Sequence, residues 1–200
     1  MKLYYTPGAC SIHPHIALCE AGIPHTIEKV DLKAKKTEGG ADYLAINPKG
    51  YIPALQLDNG EVLVEGVAIV QYIADQKPDS KLAPKAGTME RYRLQEWLTF
   101  FSSELHKQFS PLFNPTFSDD VKKFFRDRIA GRFAYIDKQL AGKDYLMGHF
   151  TVADSYLYNM IRWARRTNMD LSACPNVEAF EKRMEARPKV QEALKAEGLM

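Results

Sequence analysis

A chain of 200 residues with 46% hydrophobic and 26% charged residues sits at the globular average, which excludes disorder and leaves enough apolar mass for a core without metal or disulfide staples. Its 27 basic and 25 acidic residues give a net charge of +2, and no run of like charge offers a nucleic-acid stripe or a membrane-binding patch. Cys10, Cys19 and Cys174 cannot all pair, and their spacings match neither a zinc ribbon nor a disulfide framework. With no signal-type leader and no spanning apolar run, the expectation is a cytosolic protein without metal whose partners are small molecules or proteins.

Lys2 to Thr6 reads as a strand closed by Pro7-Gly8, and Ile12, Ile16, Cys19 and Ile23 then recur at near-helical spacing. Gly22-Ile23-Pro24 stops that helix, and Thr26 to Leu32 alternates as a second strand, which completes a βαβ unit. A polar stretch, Lys33 to Asp42, shows no period. Ala54 to Leu57 and Glu61 to Val64 are apolar runs joined at Asn59-Gly60, a strong hairpin signal, and Val67, Val70, Ile73 and Ala74 mark one face of the helix that follows. The order βαβ-ββα describes a thioredoxin-like mixed sheet of four strands.

The segment from Lys77 to Pro84 is polar, proline-rich and aperiodic, so it reads as a linker. We divide the chain into residues 1–81 and an all-α domain of residues 82–200, with helices over 88–109, 119–141, 152–166, 176–187 and about 189–196.

Chemistry concentrates at few places. Cys10 stands at the mouth of the first helix, where amide dipoles favour a thiolate and Ser11 in the same turn is a further donor; the alternative is a small buried hydrophobe. Cys19 shares the apolar stripe and reads as inert core, and Cys174 beside Pro175 reads as a loop residue. Ile52-Pro53 enters a strand at an edge; on the dipeptide alone trans is the commoner state, whereas a cis bond would turn the Ile52 backbone groups outward to an extended peptide. Glu65-Gly66 opens a helix, with Gly66 admitting a ligand carboxylate and Glu65 an ammonium group; the alternative is a simple capping acid. In the long helix after Thr88, Leu94, Leu98, Phe101, Leu105, Phe109 and Leu112 form one stripe, while Thr99, Ser103, His106 and Ser110 gather opposite, and Glu104 lies to one side. His106, with Lys107, is thus placed to polarise or protonate a group near a thiolate, against the alternative of a solvated face. Thr151 and Asp154 read as a capping box, and the arginines from Arg162 to Arg166 as complements to a helix C-terminus.

Six stretches in order, "KLYYTPGACS", "NPKGYIPALQLDNG", "EGVAIVQYIAD", "SSELHKQFSPLFNP", "FTVADSYLY" and "RPKVQEALKAEGL", make the whole chain resemble a bacterial beta-class glutathione S-transferase. The resemblance implies a homodimer with a thioredoxin-like domain for glutathione and a helical domain forming the pocket for a hydrophobic electrophile. It implies a cis-proline at Pro53 and a Cys10 that forms a mixed disulfide with glutathione. By position, Lys35 would meet the glycine carboxylate, Ile52 the cysteinyl backbone, and Glu65 with Gly66 the γ-glutamyl end. Thr99, Ser103 and Glu104 would approach the ligand near the dimer contact, with His106 and Lys107 close to the sulfur. Thr99, Tyr51 and Cys19 depart from residues common in the family, Asn, Gln and Arg. The expected activity is glutathione conjugation with thiol-disulfide exchange; the rivals are a dedicated disulfide reductase or reductive dehalogenase, and a non-catalytic binder of apolar ligands.

Overall fold

The computed structural model describes every residue, Met1–Met200, and the chain forms two compact units: Met1–Ala83 with Arg187–Met200, and Pro84–Ala186.

In the first unit, β1 (Lys2–Tyr5), α1 (Ile12–Ala21) and β2 (Thr26–Asp31) form the βαβ element, with Leu3 opposite Ile27 in the parallel pair. Helix α1 ends where Gly22 turns left-handed at φ 63° and donates its N–H to the Cys19 carbonyl, a conformation that suits a residue without Cβ. β3 (Lys36–Thr37), α2 (Tyr43–Ile46), β4 (Ala54–Gln56), β5 (Val62–Val64) and α3 (Gly66–Gln76) follow, and the sheet runs β3-β2-β1-β4-β5. The hairpin pairs Leu55 with Leu63 and turns at Gly60, φ 89°. The sheet therefore has five strands where four were expected. The additional one is the two-residue β3 at the edge, too short for any periodicity, within the stretch that read as structureless. Helix α2 was hidden in the same way; Asp42 caps it by accepting from the Leu44 N–H.

Tyr4, Val30, Tyr43, Ile52 and Ala54 form a buried cluster against which Cys10 and Ala9 pack. Helix α1 is buried nearly all round, His13 and His15 included, and so lacks the wet face an amphipathic stripe implies.

The second unit is all helical. α4 (Met89–Phe100) is capped by the Thr88 hydroxyl, and a π-helical turn, Phe101–His106, joins it to α5 (Lys107–Phe113). One continuous helix over 88–109 is thus corrected to two helices around a wider turn. Helices α6 (Asp119–Leu140), α7 (Val152–Arg166) and α8 (Pro175–Glu185) complete the unit. Leu98, Phe101, Leu105, Phe109, Ile129, Phe133, Leu157 and Ile161 are fully buried in its core. Asp154, itself buried, accepts from the Thr151 N–H and hydroxyl and from the Leu146 N–H, so it knits a helix start as the capping pattern indicated.

The last helix, α9 (Pro188–Ala196), groups with the first unit and packs on α1, whereas the sequence division at residue 82 placed it with the helical domain. An amphipathic pattern shows that a helix has a face to bury, not which neighbour covers it. No helix is long and apolar enough to cross a membrane.

Candidate active site

Each unit gathers part of the sequence-selected set. In the first, Cys10 lies in the turn ahead of Ser11, the N-cap of α1, and is half-buried. Its Sγ donates to the Ile52 carbonyl at 3.3 Å, and the Ile52-Pro53 bond is cis. The carbonyl expected to face a ligand therefore also faces the thiol. Ser11 does not serve Cys10: fully buried, its hydroxyl accepts from the Thr6 N–H and donates to the Thr6 carbonyl, which locks the turn.

The other two thiols are of a different kind. Burial, with Glu192 nearby, pushes the Cys19 thiol up to about 12, and burial together with Asp137 raises Cys174. Cys174 occupies the N-cap position of α8, buried where a loop site was expected.

Lys35 takes a left-handed backbone, φ 56°, and its Nζ donates to the Gly50 carbonyl at 2.9 Å. Glu65 has φ 72° and ψ 114°, a region that costs a side-chain-bearing residue on the order of 1–3 kcal/mol. Its carboxylate makes no cap to α3 and instead meets Lys49 Nζ at 2.7 Å with both side chains exposed, so the capping alternative is excluded. Gly66 behaves differently from expectation: a Cβ there would stand 2.5 Å from His13 Nε2, so the missing side chain makes room for His13. Its N–H still belongs to the first turn of α3, where amides lack intrahelical partners and suit a carboxylate.

In the second unit the set sits on the π-turn and its flanks. The wider turn shifts the helical face, a feature frequent at functional sites. Thr99, Ser103 and Lys107 are exposed, and the Ser103 hydroxyl donates to the Thr99 carbonyl at 2.9 Å. Glu104 pairs with Arg132 at 2.7 Å, and Gln108 donates to its carbonyl. His106 is half-buried; Nδ1 shares a 2.6 Å hydrogen bond with the Tyr156 hydroxyl, and its ring stands edge-on to Trp163 at 4.7 Å. Tyr156 and Trp163 were missed, although their i,i+7 spacing on α7 sets them on one face and marked them as a pair. The arginines of α7 are occupied: Arg165 pairs with Glu178 and Glu181, Arg162 lies over Tyr158 and Arg166 over Phe113.

Residues 9–76 match the family described as glutathione S-transferase, N-terminal domain, and residues 103–197 the family described as glutathione S-transferase, C-terminal domain. The chain is 45% identical over 200 residues to glutathione S-transferase GstA of Escherichia coli O157:H7, with all of both chains covered. Among solved structures, a sphingomonad glutathione S-transferase complexed with glutathione is 49% identical with a TM-score of 0.96, covering 100% of each chain. The bacterial beta-class enzyme of Sphingomonas chungbukensis is 49% identical with a TM-score of 0.97, again over 100% of each chain. Matched in both halves and along its whole length, the chain belongs to the glutathione S-transferase family, in its bacterial beta class.

Proposed function

We propose that this glutathione transferase joins the glutathione thiolate to hydrophobic electrophiles and that Cys10 is the residue that meets the glutathione sulfur. The observation that carries the reading is the half-buried Cys10 thiol at the start of α1, 3.3 Å from the carbonyl that precedes the cis-proline. A thiol before the first turn of a helix has unpaired amide N–H groups at hand, which favour its anion. Conjugation then removes the proton from glutathione sulfur, forms an S–C bond and expels the leaving group with its electron pair. In the exchange reaction, Cys10 thiolate attacks one sulfur of oxidised glutathione. The S–S bond breaks, glutathione thiolate leaves, and a mixed disulfide remains at Cys10 until a second thiolate displaces it.

The tripeptide's recognition follows from the same unit. Lys35 serves the glycine carboxylate by exchanging its contact with Gly50 for an ion pair, the Ile52 backbone pairs with the cysteinyl portion, and the strained Glu65 with the Gly66 N–H serves the γ-glutamyl end. In the second unit, His106 handles the proton, oriented by Tyr156, with Lys107, Thr99, Ser103 and Glu104 as polar contacts. The protein works as a cytosolic homodimer in this reading, which three cysteines outside any disulfide support as to compartment.

Intact-mass measurement after incubation with oxidised glutathione tests the proposal: one glutathionyl adduct is expected, absent in Cys10→Ala. An adduct that survives in the variant overturns the assignment of Cys10. A second reading, a dedicated glutathione-dependent disulfide reductase or reductive dehalogenase, is favoured by Cys10 being the one thiol of the three that is not buried. It predicts that Cys10→Ala abolishes disulfide reduction and reductive dehalogenation while chloroarene conjugation in the parent is negligible.

A further inference from the structure

Helix α1 and the loop that follows it carry a second cluster that glutathione chemistry does not use. One imidazole nitrogen each from His15 and His25 and the Cys19 Sγ all lie within 4.8 Å of one another, two of the three side chains being buried. His15 and Cys19 are four residues apart on one helix, hence on one face, and His25 returns to them after the Gly22 turn, its ring edge-on to His15 at 5.4 Å.

Each imidazole is held by its Nδ1. His15 Nδ1 lies 2.9 Å from Glu197 Oε1, and His25 Nδ1 lies 2.7 Å from the Ile23 carbonyl. A carboxylate or carbonyl against one ring nitrogen orients the ring and, in the tautomer that donates from Nδ1, leaves Nε2 to ligate, which is how ligating histidines are oriented in metal sites. A second observation is independent of the ring geometry. Glu197 has a fully buried side chain, and its Oε2 has no hydrogen-bond partner. A buried carboxylate left half satisfied is costly, and positive charge drawn onto the far side of the His15 ring offsets that cost.

We propose that His15, Cys19 and His25 bind one transition-metal ion of the zinc type, with Glu197 and the Ile23 carbonyl as orienting partners and water in the fourth position. Two imidazoles and a thiolate suit zinc and exclude magnesium and calcium, which take oxygen ligands. Around a tetrahedral zinc ion the ligand atoms stand about 3.3–3.8 Å apart, so small side-chain rotations close the present spacing. Binding forms the metal–sulfur bond and releases the Cys19 proton to water, without oxidation or reduction. The ion would pin α1, ahead of whose first turn Cys10 stands, to the loop that carries His25 into β2.

The test uses the full chain carrying Cys10→Ser, stripped with chelator, so that the half-buried thiol ahead of α1 does not compete. Cobalt(II) titration is expected to bind one equivalent with tetrahedral d–d bands and a thiolate-to-cobalt charge-transfer band, displaced by zinc and untouched by excess magnesium. Zinc at a hundredfold excess over its Kd should raise the Tm by about 5–10 °C. Cys19→Ser should abolish the charge-transfer band. His25→Gln, at a half-buried position that leaves folding intact, should weaken binding at least tenfold, and Glu197→Gln by about 10–100-fold. Absence of a thiolate band up to millimolar cobalt, or equal affinity in the parent and both ligand variants, overturns the proposal.

Discussion

Cys10 and Cys19 stand at opposite ends of α1, bear the same functional group, and meet opposite surroundings. Cys10 precedes the first turn, is half-buried and has a backbone carbonyl at 3.3 Å; Cys19 lies in the last turns, buried, with burial and nearby Glu192 pushing its thiol up to about 12. The dipole adds to the contrast, because the N-terminal end of a helix favours an anion and the C-terminal end disfavours it. One helix thus has at one end the half-buried thiol proposed as the nucleophile and at the other a buried thiol of raised pKa. Residue type alone does not make a reactive cysteine; position along the helix and access to water do.

The sharpest way to break that contrast is to exchange the two thiols' fates. Cys10→Ala should lower glutathione disulfide exchange at least ~100-fold, whereas Cys19→Ala should leave the rate within about twofold, as initial rates and intact mass will show. Loss of the adduct in Cys19→Ala would make the two ends equivalent.

The next effect is read from pH. The Cys19 thiol stays neutral in the fold up to about 12, against an ordinary value of 9.0, so the unfolded chain ionises first. This contribution is fully present below pH 9 and is lost as pH rises toward 12, by up to ~1.4 kcal/mol per pH unit. In metal-free protein, Cys19→Ala should flatten the alkaline limb of urea-midpoint stability between pH 9 and 11. Under native conditions iodoacetamide should label Cys10 and spare Cys19.

Smaller effects probe how the two ends are held. Gly66→Ala puts a methyl 2.5 Å from His13 on the first turn of α1 and should cost about 1–3 kcal/mol by urea titration, with weaker glutathione binding by calorimetry. Arg187→Ala removes the bidentate pair with Glu20 near the far end of α1, at 2.7 and 2.8 Å, and should cost about 1 kcal/mol with glutathione affinity unchanged. If Arg187→Ala instead weakened glutathione binding as Gly66→Ala does, the ends would be mechanically coupled.

Much of the fold was legible wherever a local rule acts. The α7 range over 152–166 followed from Thr151 and Asp154, the hairpin from Asn59-Gly60, and the βαβ unit from Pro7-Gly8 and Gly22, because capping, turn chemistry and periodicity need only near neighbours. Tyr43 and Lys36, in short elements, gave no period to detect. The π-turn at Phe101–His106 escaped because a continuous 3.6-residue pattern still fits its apolar positions, all of which remain buried up to Phe109. At the candidate site, the selection of Cys10, Pro53, Glu65 and His106 rested on motifs. The partners rested on nothing local: Ser11 turned to Thr6, Gly66 to His13, and His106 to Tyr156 fifty residues away.

By itself, the sequence determined that a thiol precedes a helix in a thioredoxin-like unit, that a helical unit follows, and which family the motifs belong to. Only the tertiary structure decided that α9 returns to the first unit, that Glu65 sits at φ 72° without capping, and that Glu197 reaches His15 across 182 positions. The reason is physical. Backbone preferences act over a few residues, whereas the burial and mutual approach of side chains are set by packing, which joins positions that sequence distance keeps apart.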